Sequence, residues 1–362
     1  MTDKQPAILA QVLLPSKDLA VDMDFFTNLG FRLEKIYPAD SPVVAIMSGF
    51  GLNIRLDKHF NGPAPALQLL TGHDRHDEKI TAPNGTRISF APLNFELGNP
   101  VTQHKFEVRQ LQDKEPWIIG RAGMLYRDLI PDRLGGSIIA SHIRIPNGGP
   151  VPDMVHYHTI GFQLIYCFKG WVKLVYEDQG PPFILNAGDC VTQPPEIRHR
   201  VLEASDNLEV IEIGVPAVHM TTIDHEMELP TGNMLPDRVF KGQTFCLHIA
   251  KNSLWQKGRI AGFERRETGV NKATNGLASV QVVRPLTGIS TTDSFSHNTD
   301  IYFSFVLKGH LELKAEGHKL ETLKTGDAFV LPPGLPFNFK AFSPNLEILE
   351  VALPGNFKVI SG

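Results

Sequence analysis

The sequence predicts a mainly β protein, a small α+β domain followed by two tandem β-barrels. Short stretches of alternating apolar and polar residues are separated by Gly, Pro, Asn and Asp in a chain of 362 residues with 31 Gly and 27 Pro, which reads as many short strands joined by turns. The chain also repeats itself. IYCFKGWVKL is echoed by FSFVLKGHLEL, LNAGDCVTQPPEIRH by LKTGDAFVLPPGLPF, and the run from Gly120 to Pro146 by the run from Gly258. The offsets agree: Gly170 and Gly309 are 139 residues apart, Gly188 and Gly326 are 138 apart, as two copies of one unit require. Residues 1–95 lack the repeat and hold the clearest helical period.

Taken in order, AILAQVLLPS is a strand candidate. KDLAVDMDFFTNLGF places Leu19, Met23, Phe26 and Leu29 at helical spacing and stops at Gly30. Strands follow at RLEKIYP, PVVAIMSGF and LNIRLDK. This β-α-β-β-β order, with DFFTNLGF, resembles one module of the glyoxalase (vicinal oxygen chelate) superfamily, and APNGTRISF resembles that family's last turn and strand, with the second helix-bearing module truncated. The resemblance implies a metal ligand on the first strand, where Gln11 stands, and an acidic ligand near Asp57. A complete site in that family takes two modules, so residues 1–95 read as a degenerate packing or dimerisation domain. A polar linker, 96–118, is expected to wrap the first barrel. The barrels themselves are assigned to 119–228 and 240–358.

Composition excludes several classes. Hydrophobic content of 42% and charged content of 20% are those of a globular protein. A net charge of −4 draws the chain to neither nucleic acid nor anionic membrane, and no apolar run is long enough to span a bilayer. The opening MTDKQPAILAQ has no apolar signal core. Three cysteines, Cys167, Cys190 and Cys246, are too few for a disulfide scaffold, and a cytoplasmic protein is expected.

The chemistry concentrates in GGPVPDMVHYHTIGFQLIYCFKG and GDCVTQPPEIRH. In a strand His156 and His158 share a face; Gln163 follows a short loop, and His199 comes from a distant hairpin. Three imidazoles and an amide oxygen make a set for a divalent transition metal. The two segments resemble the paired signature motifs of the cupin superfamily, carried by Gly149, His156, His158, Gln163 and Gly170, then Gly188, Pro194, Glu196 and His199. Gln163 stands where that family usually has Glu, and Glu196 replaces a turn glycine. The resemblance implies two jelly-roll (double-stranded β-helix) barrels, a bicupin, preceded by the glyoxalase-like βαβββ domain. Aligned without gaps, the second barrel sets Phe295, His297, Tyr302 and Phe337 opposite His156, His158, Gln163 and His199, so it reads as structural in preference to holding an apolar ligand.

Neutral imidazole binds Fe, Mn, Co, Ni, Cu and Zn; Fe(II) is favoured because three His leave positions open for substrate and dioxygen. An amide in place of carboxylate leaves the ion's double charge intact and favours an anionic, chelating substrate. The expected function is a metal-dependent dioxygenase, an oxidoreductase acting on a small anionic molecule, with a layout similar to ring-cleaving bicupins of the gentisate type. The alternatives are a redox-neutral metalloenzyme (isomerase, hydrolase or decarboxylase) and a non-catalytic small-molecule binder; a homo-oligomer is compatible with all three. Glu203, Glu209 and Glu212 are near the site in sequence, with no base singled out. Arg121, Tyr126 and Arg127 are candidates for a substrate carboxylate, or, the reading slightly preferred, for a structural clamp between barrels. Arg144 could face the cavity or solvent, and Gln193 could support the ligands. Arg198 and Arg200 should point away from His199, and Cys167 inward as a small core residue. His73 and His76 read as solvated, His219 and His225 as hydrogen bonders between barrels.

Overall fold

The computed structural model describes residues 9–72, 75, 77–113, 117–286 and 293–362. These form two compact units, residues 1–96 and 97–362. His73 and His76 lie outside the described residues. Among the described residues no helix is long and apolar enough to cross a membrane.

In the first unit the expected β-α-β-β-β order holds. Strand Val12–Pro15 runs parallel to Leu52–Asp57, followed across the sheet by Val44–Gly49 and Arg32–Tyr37, both antiparallel. Helix Leu19–Leu29 starts at Asp18, whose carboxylate accepts the Ala20 and Val21 amides. It ends at Gly30, where φ is 116° and the following Phe31 amide returns to the Phe26 carbonyl. Leu19 and Phe26 are buried among Leu14, Met47, Ile54 and Leu56. A second sheet pairs Ala66–Thr71 in parallel with Arg87–Pro92, flanked by Lys79–Thr81. Gln11 is exposed, and the Asp57 carboxylate is taken up by Arg55 at 2.8 Å and the His59 amide at 2.9 Å.

The described residues of the second unit are mainly β and form four large sheets, two per barrel. In the first barrel Phe162–Lys169, Leu208–Val215 and Ile139–Ile145 form the centre of one sheet; Trp171–Tyr176, His199–Ala204 and His156–Thr159 form the other. The second barrel repeats this with Ile301–Lys308, Glu347–Leu353 and Ser279–Pro285, then His310–Ala315, Phe337–Phe342 and Phe295–His297. The repeated glycine has one cause in both copies. Gly170 and Gly309 adopt φ of 74° and 75°, and a Cβ at either would lie 2.2 Å from the hydroxyl of Ser205 or Ser343.

Strand alternation explains why the central strands are apolar on both faces. Phe162, Leu164 and Tyr166 face out and meet Ile301, Phe303 and Phe305 in a core shared by the barrels. Full burial of each such phenylalanine is worth about 1.5–3 kcal/mol. Gln163, Ile165 and Cys167 face the interior of the first barrel, and Cys167 is a buried core residue there, as expected. The second barrel's interior is packed with apolar side chains, including Phe295, Phe329, Phe337 and Phe339.

Each barrel is completed by a strand from elsewhere in the chain. Cys246–His248, at the start of the stretch assigned to the second barrel, pairs with Cys190–Thr192 of the first. Glu107–Arg109, which precedes the first, pairs with Ala328–Val330 of the second. The stretch expected to wrap the first barrel therefore contributes its strand to the second. Arg127, buried, donates to the Gln110 carbonyl at 3.0 Å and the Gly326 carbonyl at 2.7 Å. Of its two readings, substrate holder and clamp, this is the clamp.

Candidate metal centre

His156 and His199 are direct cross-strand partners, and His158 shares their face two residues on. The three ring centroids are 4.3–5.2 Å apart, and one nitrogen from each ring lies within 4.8 Å of the other two. Each Nδ1 already has a partner: the Met154 carbonyl at 2.7 Å for His156, the Thr221 hydroxyl at 2.9 Å for His158 and the Ile197 carbonyl at 2.9 Å for His199. A carbonyl only accepts, so Nδ1 of His156 and of His199 carries the proton and each Nε2 keeps its lone pair. All three rings are buried, and desolvation holds their pKa values below the ordinary range, to about 2 for His158. They are neutral at pH 7, the form that binds a metal.

The turn that delivers His199 keeps the glycine-type backbone of the expected motif although Glu stands there. Glu196 adopts a φ of 65°, a region that favours glycine, and its amide donates to the His158 carbonyl at 3.0 Å. The matching Gly334 in the second barrel has φ of 77° and donates to the His297 carbonyl at 2.8 Å. The turn thus ties the strand of His158 to the approach of His199 in the first barrel, and the strand of His297 to the approach of Phe337 in the second.

Gln163 is buried; its Nε2 donates to Glu212 at 2.6 Å, and its Oε1 has no partner. His156 Nε2 is likewise buried and unpartnered. Two lone-pair atoms shut off from water without donors are costly unless something electropositive meets them. The donor set, imidazole nitrogen with an amide oxygen, fits a divalent transition metal.

A cavity of about 60 Å³ opens beside His158 and His199. Its walls are apolar, with Ile143, Ile145, Ile165, Leu174, Leu208 and Val210 prominent; its polar groups are Arg121, Tyr126, Gln193 and Glu212. Arg121, Tyr126, His158 and Glu212 also line an outer cleft of about 440 Å³, so they form the partition between the two. Arg121 is ion-paired with the buried Asp153, which also accepts the Val201 amide at 3.0 Å. Burial raises the Tyr126 phenol to about 12. Gln193 donates to the Tyr176 hydroxyl at 3.0 Å, and Tyr176 stacks on His199. Arg144 turns away from the cavity, with its guanidinium on Glu209 at 3.1 Å and over the Trp117 ring. Arg198 and Arg200 are half-buried; Arg198 pairs with Asp224.

Two residues that the sequence did not single out for the site line it. Glu212 faces the cavity because Leu208, Val210 and Glu212 share one side of their strand; Glu209 takes the other, against His142 at 2.7 Å. His219 was expected between the barrels. Its ring instead lies 5.6 Å from that of His158 and lines the outer cleft, because the strand Met220–Ile223 pairs with His156–Thr159; His225 is exposed.

The second barrel keeps the register and loses the ligands. Phe295 pairs with Phe337 as His156 pairs with His199. Tyr302 lies opposite Ala352 as Gln163 lies opposite Gly214, and Glu350 occupies the place of Glu212. His297 directs Nε2 to the Leu331 carbonyl at 3.1 Å and stacks on Tyr302.

No protein-family model matches the chain, and no curated protein matches it. Solved structures do. Salicylate 1,2-dioxygenase from Pseudaminobacter salicylatoxidans is similar over 75% of this chain and 93% of its own, with a TM-score of 0.53 and 15% identity. The same enzyme with gentisate gives a TM-score of 0.51 at 14% identity over 73% and 86%. Oxalate decarboxylase from Lactobacillus farciminis, a formate complex, gives 0.53 at 13% identity over 74% and 90%. At such identities the likeness establishes architecture and no more, and that architecture is the cupin fold, here with a buried cluster of three histidines in its first barrel.

Proposed function

We propose that the chain is a metal-dependent cupin dioxygenase acting on a small molecule at the first barrel. The observation that carries this reading is the convergence of three buried neutral imidazoles with His156 Nε2 and Gln163 Oε1 unpartnered. His156, His158 and His199 would hold the metal, with Gln163 as a fourth donor. The ion, Fe(II) by preference, would supply Lewis acidity and one-electron redox chemistry. The protein's own contribution is the rest of the site. The isoleucine and leucine walls exclude water from the cavity and accept an apolar body. Arg121 and Gln193 orient the polar end of the substrate, and Glu212 accepts a proton from a substrate hydroxyl. Salicylate dioxygenase and its gentisate complex share the fold and suit this reading.

Glu212 also favours a second reading. It supplies the base that a redox-neutral isomerase or decarboxylase requires, and an oxalate decarboxylase shares the fold. One experiment separates the two: metal analysis of the purified protein, then oxygen uptake with small phenolic acids and dicarboxylates. Iron with substrate-dependent oxygen uptake supports the dioxygenase. Substrate turnover without oxygen uptake overturns it in favour of the second reading, and a protein that holds no transition metal overturns both.

A further inference from the structure

The two barrels share a strand register but not an interior. In the first, the cavity beside His158 and His199 measures about 60 Å³. Its far walls are aliphatic: Val172, Leu174 and Val201 come from one sheet, Ile143, Ile165 and Val210 from the other. Leu174 pairs with Val201, and Leu313 with Phe339, so Phe339 holds the place of Val201 in the second barrel. Counted along the same registers, Phe263 holds the place of Met124. The two phenylalanine rings lie 5.5 Å apart and leave about 10 Å³ beside Val283 and Glu350. The chamber of the first barrel thus follows from its particular side chains, Val201 above all, and not from the fold.

Its size narrows what it takes. An aliphatic cavity of about 150 Å³ admits benzene. At about 60 Å³ this chamber is too small for a ring and, in the same proportion, holds about two or three carbons. Its polar groups are those of the metal centre and the partition, Arg121 among them. A molecule held here therefore keeps an anionic end at the histidines and a short alkyl end among the aliphatic walls. Each methylene buried there strengthens binding about fourfold until the space is full. Beyond that point further length weakens it, because a packed barrel does not stretch.

We propose that the first barrel takes a short-chain aliphatic acid with a chelating oxygen on the carbon next to its carboxylate, its alkyl chain of about two or three carbons seated between Leu174, Val201 and Val210. The inference rests on the reading of the three histidines as a metal centre and narrows the small molecule of that reading. To test it, the full-length protein is loaded with Mn(II), its metal content is measured, and 2-oxo acids are titrated into it calorimetrically under nitrogen. The series is glyoxylate, pyruvate, 2-oxobutanoate, 2-oxopentanoate, 2-oxooctanoate and phenylpyruvate. Affinity should rise about fourfold per carbon to a maximum at 2-oxobutanoate or 2-oxopentanoate. It should fall by about tenfold or more from that maximum to 2-oxooctanoate and to phenylpyruvate. Val201→Phe, the side chain of the second barrel at this place, should abolish the rise, so that 2-oxopentanoate binds no more tightly than glyoxylate. Leu174→Ala should move the maximum to longer chains, a gain that loss of folding does not mimic. Metal uptake with an affinity that is flat across the series, a maximum at phenylpyruvate, or an unchanged profile in Val201→Phe overturns the substrate class and leaves the metal centre standing. Absence of metal uptake overturns both.

Discussion

Replacing His158 with Ala tests the metal centre through stability. In the wild type, a metal present at a hundred times its dissociation constant adds about 2.7 kcal/mol to the folded state. For a cooperative unit the size of residues 97–362, each kcal/mol moves the melting temperature by roughly 2–4 °C, so the metal should raise it by about 5–10 °C. Removing one imidazole of three should weaken binding by about a thousandfold or more. The same metal concentration is then about a tenth of the new dissociation constant, and the added stability falls below about 0.1 kcal/mol. The metal-free variant has a separate cost. His158 is buried, and the change opens a void and strips Thr221 of its contact at 2.9 Å, a loss of about 1–3 kcal/mol. Calorimetry of both proteins, each with chelator and with Fe(II), Mn(II) or Zn(II), separates the two effects. The expected result is a variant that melts a few degrees lower without metal and does not respond to metal. A variant that keeps the wild-type metal-induced shift refutes the assignment of His158.

Three further outcomes follow from other parts of the structure. His297→Ala should leave metal content unchanged by elemental analysis, since Phe295 and Phe337 stand where the other imidazoles would be; a clear loss would reveal a second centre. Gln163→Glu places a carboxylate against Glu212, where the amide now donates at 2.6 Å. The pair then shares a proton, which raises one folded-state pKa, so stability is full below the unfolded carboxylate range and falls as pH rises through the raised value. Urea midpoints between pH 5 and 8 should drop relative to wild type by about 1–3 kcal/mol, and parallel curves would show that the two groups do not meet. Glu209 works in the opposite sense. Burial alone would raise its pKa, but His142 and Lys169 outweigh burial and hold it at about 2. Its contribution is therefore present above the unfolded value and lost as pH falls from there towards 2. Glu209→Gln should flatten that acid limb, and an unchanged acid midpoint would contradict the pairing.

The histidines were legible because their signal is local: i, i+2 spacing fixes a shared face, and a bracketed turn fixes the arrival of His199. The second barrel was legible by subtraction, through phenylalanine at matched offsets. Glu212 was not, because LEVIEIGV holds two glutamates three residues apart and either phase of the strand is apolar enough to be buried. His219 was misplaced for a related reason: its neighbour strand pairs with His156–Thr159 across more than sixty residues, a register no local pattern encodes. Arg144 was left open between cavity and solvent for the same reason; Ile143 and Ile145 line the cavity and leave the guanidinium to the outer face.

The exchange of strands between the barrels has a mechanical consequence. A polypeptide cut in the loop near residue 235 would leave the front half without the strand Cys246–His248 and the back half without Glu107–Arg109. Each fragment would expose a bare hydrogen-bonding edge beside a stripped apolar wall, the situation that invites aggregation. The two lobes are thus interlocked like clasped hands, so melting should register as one event and neither lobe should survive expression by itself.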